Sequence, residues 1–129
     1  VATFVVDTHA LLFYLADSRR LGRAAEAALD STDSRLILPV IVLAEALWIV
    51  SSRDVGLSVR ELISEIEADA RFGIVDLTRQ IVERSHELTS ISEMHDRQIV
   101  ATALLLDEEA VLLTKDANII ESGLLQTLW

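Results

Sequence analysis

Four carboxylates stand where ordinary packing does not call for them. Glu45 interrupts the run "LILPVIVLAEALWIV", which is apolar at every other position between Val40 and Val50. A lone ionised carboxylate in a dry interior is costly, so it needs a cation, a metal ion or the edge of a cleft. Three further acids have comparable settings: Asp7 closes "FVVD", Asp116 follows "VLLT", and Asp96 opens the apolar segment "HDRQIVATALLL". Each alone has a plain structural reading. Asp7 could cap a helix, Asp96 could serve the helix dipole, and Asp116 could shape a turn. For Glu45 the plain reading is an ion pair with an arginine such as Arg97. Four carboxylates brought together without a cation repel, and at least one takes up a proton. Around hard divalent ions they become ligands, and oxygen-only sites suit Mg²⁺ or Mn²⁺. Such ions activate water and hold a phosphodiester for hydrolysis.

The elements that would position these acids follow from periodicity. "TFVVD" (Thr3–Asp7), "RLIL" (Arg35–Leu38), "FGIVD" (72–76) and "AVLLTKD" (110–116) read as short buried strands, and the tail "GLLQTLW" as a fifth. Between them lie helical stretches: "THALLFYLA" with Thr8 as its N-cap, "RAAEAALDS", and Val40 to Arg53 opened by Pro39. Ser58 and Glu61 set a capping box for a helix ending near Arg71. Two more helices are expected in "TRQIVERSHELTS" and "HDRQIVATALLLDEE". Strands alternating with helices predict parallel pairing through right-handed crossovers, hence an α/β fold. The expected form is a three-layer α/β/α sandwich, its central parallel sheet having four to five strands, in a single domain spanning 1–129. Clefts in such sheets lie beyond the carboxyl ends of the strands. Asp7 and Asp116 would end there, and the helices carrying Glu45 and Asp96 would begin there.

Composition narrows the function classes. The 129 residues are 51% hydrophobic and 25% charged, as in globular chains, and carry a net charge of −10. That balance argues against a broad basic surface for nucleic acid, but not against acids gathered on cations. The tightest basic group is Arg19, Arg20 and Arg23, either a solvated helix start or a phosphate contact. Cysteine is absent, which removes disulfides and thiolate metal sites and suits a reducing cytosol. No export signal or bilayer-spanning segment is read, so a soluble, cytoplasmic protein is expected. His9 and His95 flank two of the acids and could contact substrate. No serine elbow, Walker loop or GxGxxG is present.

In order and spacing, "VVDTHALLFYLAD", "VLAEALWI", "HDRQIVATALLL" and "VLLTKDANI" resemble the acidic motifs of PIN-domain ribonucleases, more narrowly VapC-type toxins of toxin–antitoxin pairs. The resemblance covers essentially the whole chain. It implies a compact α/β/α fold and an Mg²⁺- or Mn²⁺-dependent endoribonuclease, with Asp7, Glu45, Asp96 and Asp116 as metal-binding and catalytic acids. Thr8 is then next to the first acid, and Thr114 matches a hydroxyl position beside the last. Asn118 falls where some relatives place a further acid. The resemblance also implies an RNA substrate, a homodimer, and an antitoxin partner whose tail covers the cleft. From a different class, a receiver-like Mg²⁺-binding regulatory module would use Asp76, which ends the third strand. A degenerate nuclease fold kept for partner binding is a third reading. A haloacid-dehalogenase-type phosphatase is disfavoured, because the residue two after Asp7 is His9.

Overall fold

The computed structural model describes all 129 residues. Five parallel strands form one sheet: β1 (Thr3–Val6), β2 (Arg35–Pro39), β3 (Phe72–Val75), β4 (Val111–Leu113) and β5 (Thr127–Leu128). Their spatial order is β3-β2-β1-β4-β5. Seven helices connect them: α1 (Thr8–Leu15), α2 (Arg23–Asp30), α3 (Val40–Ser52), α4 (Val59–Ala68), α5 (Arg79–His86), α6 (Met94–Leu106) and α7 (Ala117–Ser122). The result is the expected α/β/α sandwich. Val5 and Val6 of β1, Leu36 to Leu38 of β2, and Leu112 and Leu113 of β4 are buried, as strands covered on both faces must be.

The order of strands decides where a cleft can open. From β1 the chain progresses outward through β2 to β3, then returns to the other side of β1 with β4 and β5. The reversal lies between β1 and β4, which pair with Val6 opposite Leu113. Adjacent connections leave that rim in opposite directions, so a gap forms beyond the carboxyl ends of these two strands. Asp7 and Thr114 are the next residues on either side of it.

Several boundaries differ from the sequence expectation. Helix α4 ends at Ala68 rather than near Arg71, because the Asp69 carboxylate accepts from the Arg71 backbone N–H at 3.0 Å and pairs with its guanidinium at 2.7 Å. That local bonding competes with another helical turn. The Arg71 guanidinium also donates to the Leu29 and Ser31 carbonyls at 2.6 and 2.7 Å, fastening the end of α2 to the start of β3. Helix α5 stops at His86, after which tighter turns bring Leu88 and Ile91 into the core. Helix α6 stops at Leu106, where the Asp107 carboxylate takes the Glu109 N–H at 2.9 Å. The capping box of Ser58 and Glu61 is present as expected.

Helix α7 was not expected from the pattern. Asp116 caps its start, and Gly123 ends it in the left-handed region at φ 64°. Six residues are too few for a periodic signal, so only the two terminal residues announce it.

Candidate active site: a carboxylate cleft

The site begins with Asp7, which is 8% exposed at the end of the central strand. It is Asp7, not Thr8, that caps α1: its Oδ1 accepts from the Thr8 backbone N–H at 2.7 Å. Its Oδ2 accepts from the Thr114 hydroxyl at 2.6 Å, joining the ends of β1 and β4. Burial raises the Asp7 carboxyl above the ordinary value, against the lowering effect of Thr114 and the Thr8 N–H.

Freed from capping, Thr8 becomes the first residue of α1 and turns its side chain inward. Its hydroxyl donates to Glu45 Oε1 at 3.1 Å. Glu45 is half-buried in the second turn of α3, and no arginine pairs with it. Arg97 instead donates from Nε to the Ile91 carbonyl at 2.5 Å. Burial raises the Glu45 carboxyl, Thr8 opposes this, and Asp7 and Glu93 add repulsion.

Asp96 occupies the first turn of α6 but does not cap it. Glu93 does, its Oε2 accepting from the Asp96 backbone N–H at 2.8 Å. The Asp96 carboxylate therefore accepts no hydrogen bond within the chain. Burial pushes its pKa up to about 7, helped by repulsion from Asp116, Asp7, Glu93 and Glu45 in that order. Asp96 thus lies within electrostatic reach of each of the other three acids singled out in the sequence. Asp116 caps α7, accepting from the Ile119 N–H at 2.9 Å, while its own N–H donates to Thr114 Oγ1 at 3.1 Å. Thr114 thus serves two acids with one hydroxyl.

None of Asp7, Glu45, Asp96 and Asp116 forms an ion pair with lysine or arginine. Their coupling is repulsive, and as they stand no three Asp, Glu or His side chains are drawn in tightly enough to enclose an ion.

The family model described as "PIN domain" matches residues 4–122. The chain belongs to the PIN-domain family. No curated protein matches it by sequence. Solved structures match its fold. The VapBC2 complex of Rickettsia felis, bound to a DNA fragment from its promoter, aligns with TM-score 0.70 at 18% identity over 98% of this chain and 97% of that one. A toxin–antitoxin complex from Klebsiella pneumoniae aligns with TM-score 0.71 at 21% identity, over 98% and 96%. DNA-bound VapBC from Salmonella typhimurium gives TM-score 0.71 at 14% identity, over 99% and 98%. At these identities the likeness is one of fold.

Two further residues of this PIN domain border the acidic cleft, Glu93, which the sequence pattern did not single out, and His95, which it placed beside an acid. Glu93 is the first. Burial acts to raise its carboxyl, but the backbone N–H groups of His95 and Asp96 and the His95 imidazole together hold it below the ordinary value. Glutamate is not a preferred cap, which is why the capping rules pass over it. His95 is the second: its Nδ1 lies 2.9 Å from Glu93 Oε1. With Ile41, Ala44, Trp48 and Ile49 it also lines a recess that contains Glu45. Asn118 stands apart from the acids. Its Oδ1 accepts from the Ser92 N–H and hydroxyl at 2.9 and 3.1 Å, and its Nδ2 donates to the Ser90 carbonyl at 3.3 Å. It braces the segment that leads into α6 and so positions Glu93 and Asp96. Asp76 is exposed at the end of β3, an edge strand two places from β1, and Thr78 rather than Asp76 caps α5. That placement removes it from the cleft a receiver-like site would need.

The donor set suits a hard divalent cation: carboxylate oxygens only, partly buried, mutually repelling and without a protein counter-ion. Such a cation, where bound, would offset both the burial and the repulsion that raise the Asp96 carboxyl.

Proposed function

We propose that this PIN domain is a metal-dependent endoribonuclease of the VapC type, the toxin of a toxin–antitoxin pair, hydrolysing RNA phosphodiester bonds with Mg²⁺ or Mn²⁺. The observation that carries the reading is the set of unpaired acids in a PIN-domain fold: Asp7, Glu45, Asp96 and Asp116 form no ion pair with lysine or arginine, and the Asp96 carboxylate accepts no hydrogen bond within the chain. Acids with a purely structural role are more often paired or exposed, and unpaired, partly buried carboxylates at a rim are the usual setting of a cation site.

Asp7, Asp96 and Asp116 would hold the cation directly, and Glu45 would hold it or orient the attacking water. The cation, when bound, supplies Lewis acidity and a lowered water pKa. The chain's own residues do the rest. Thr114 fixes Asp7 and the turn to Asp116, so two ligands from adjacent strands keep one spacing. Thr8 holds one Glu45 oxygen and leaves the other free to accept a proton from water. Glu93 accepts from the Asp96 N–H, which fixes the first turn of α6 and with it the position of the Asp96 carboxylate.

The fold relatives named as toxin–antitoxin complexes support a partner antitoxin for this chain, one that would cover the same cleft. We extend the reading to a homodimer acting in the cytoplasm; no helix is long and apolar enough to cross a membrane. The deciding experiment is incubation of defined single-stranded RNAs with the protein, with and without Mg²⁺ or Mn²⁺, beside Glu45→Gln. Cation-dependent cutting by the parent alone is expected. Equal cutting by Glu45→Gln would remove Glu45 from the mechanism, and no cutting under any of these conditions would remove the nuclease reading.

A further inference from the structure

The arginine group noted in the sequence divides in the structure, and one member finds a purpose beside the cleft. Arg20 lies over the ring of the buried Phe13, its guanidinium carbon 4.7 Å from the ring centroid. Lys115 Nζ stands 5.2 Å from the same centroid. The His9 ring is 5.7 Å from that of Phe13. His9, Phe13, Ser18, Arg20 and Arg53 line one recess of about 280 Å³. Lys115, Arg20 and Arg53 all lie within electrostatic reach of the His9 ring.

Like charges do not gather without a reason, least of all in a chain with 21 acids to pair them. The ion pairs of this protein with lysine or arginine use Arg71, Arg79 and Arg84, and leave Arg20, Arg53 and Lys115 free. The one carboxylate lining the recess, Asp54, accepts from the Gly56 N–H at 3.2 Å. The Phe13 ring attracts both cations and so offsets part of their repulsion. What remains is concentrated positive charge with hydrogen-bond donors, the environment that guanidinium and ammonium groups offer a phosphate.

Position ties the recess to the cleft. His9 lies two residues after Asp7, and Lys115 immediately precedes Asp116. Ile49 lines this recess and also the one containing Glu45. A polynucleotide with one phosphate at the carboxylates necessarily carries further phosphates along its strand.

We infer that the recess lined by His9, Arg20 and Arg53, with Lys115 beside it over the Phe13 ring, is a subsite for a phosphodiester group of single-stranded RNA, flanking the phosphate to be cut. This rests on the nuclease reading and adds to it how an acidic protein retains a polyanion. The cations counter the cleft's repulsion of the strand and set which bond is presented to the acids. An acidic peptide is the other occupant such charge could attract, but it has no reason to extend into a cleft of carboxylates.

The test is fluorescence anisotropy with a labelled single-stranded RNA oligonucleotide in Mg²⁺, using Glu45→Gln protein so that the strand is not cut. Adding Arg20→Gln is expected to weaken binding about tenfold, the loss of one charge-assisted contact. It should also make the slope of log affinity against log salt shallower by about 0.7. Arg20→Lys should restore the slope, and Arg60→Gln, on the exposed start of α4, should change neither quantity. Arg20 is exposed, so folding is not at stake, and thermal melting checks this. If the Glu45→Gln parent binds RNA and Arg20→Gln matches it in affinity and slope, the subsite falls while the nuclease reading stands. If the Glu45→Gln parent binds no RNA while the unmutated protein cuts it, the subsite alone falls; if the unmutated protein also cuts none, both fall. If Arg20→Gln loses affinity for a poly-glutamate peptide but not for RNA, the recess takes acidic peptide instead and the inference is overturned.

Discussion

The Thr114 hydroxyl donates to Asp7 Oδ2 at 2.6 Å across 107 residues of sequence. The bond closes the rim between the two strands at which the sheet reverses, and the same oxygen accepts from the Asp116 N–H. Thr114→Val keeps the shape and removes the hydroxyl. The buried Asp7 oxygen then loses its partner, and so does the Asp116 N–H. A loss of about 1–3 kcal/mol is expected in urea unfolding of the metal-free protein at neutral pH, because an unsatisfied buried group carries its full desolvation cost. Thr114→Ser should recover most of it. A Thr114→Val protein as stable as the parent would show that the bond does not hold the rim.

Thr8 is expected to matter for activity more than for folding. Thr8→Val removes the bond to Glu45 and leaves that carboxylate to rotate. RNA cleavage should fall about tenfold or more, in line with the 10²-fold losses that small misplacements of catalytic groups cause. Circular dichroism should be unchanged. Thr8→Ser should restore the rate, and cleavage by Thr8→Val at the parental rate would detach the hydroxyl from the mechanism.

Stability of the metal-free protein should fall as pH rises toward neutrality. The Asp96 carboxyl is raised from 3.8 to about 7 on folding. Below pH 4 it is protonated folded and unfolded, and its full contribution is present. Between 4 and 7 the folded state holds a proton that the unfolded state has released, so this contribution is lost as pH climbs through the folded value. Raised carboxyls at Asp7 and Glu45 act in the same direction. Thermal melts from pH 4 to 8 should show the decline, and Asp96→Asn should flatten it. Added Mg²⁺ should raise the melting temperature chiefly at the upper end, because it binds the ionised carboxylates.

Glu93→Gln tests the acid that the sequence reading passed over. The amide oxygen can still accept from the Asp96 N–H, so the cap survives while one negative charge goes. The Asp96 carboxyl should then titrate below about 7, because repulsion from Glu93 is among the causes of its elevation. Carboxyl ¹³C shifts through a pH series would measure it, and an unmoved Asp96 would place Glu93 outside its field.

Gly22 should tolerate no side chain. A Cβ there would lie 2.3 Å from the Trp129 carbonyl carbon and 2.6 Å from its indole ring. Trp129 in turn packs edge-on to Phe13 at 6.1 Å, beneath the cationic recess. Gly22→Ala is expected to cost about 1–3 kcal/mol, as overpacking does. A blue-to-red shift of tryptophan emission would report the displaced indole. Unchanged stability and emission would show that Trp129 does not close against Gly22 in solution.

The amino-acid sequence by itself determined the alternation of short buried strands with helices, and hence a parallel sheet with a rim where acids could collect. It determined this because strand and helix patterns are local: β-branched runs, a proline opening α3, the Ser58–Glu61 box. It also marked Glu45, since a charge amid apolar neighbours needs no partner in view to be conspicuous. Tertiary structure decided what local pattern leaves open. The same elements could be ordered otherwise in a sheet; only packing set β4 against β1 and so brought Thr114 to Asp7. Packing also chose among equivalent local roles, giving the cap of α1 to Asp7 and that of α6 to Glu93, which left the Thr8 hydroxyl for Glu45 and the Asp96 carboxylate without a donor. And it drew Arg20, Arg53 and Lys115 around one histidine, because charge is read from composition but its clustering depends on residues far apart in the chain meeting at one surface.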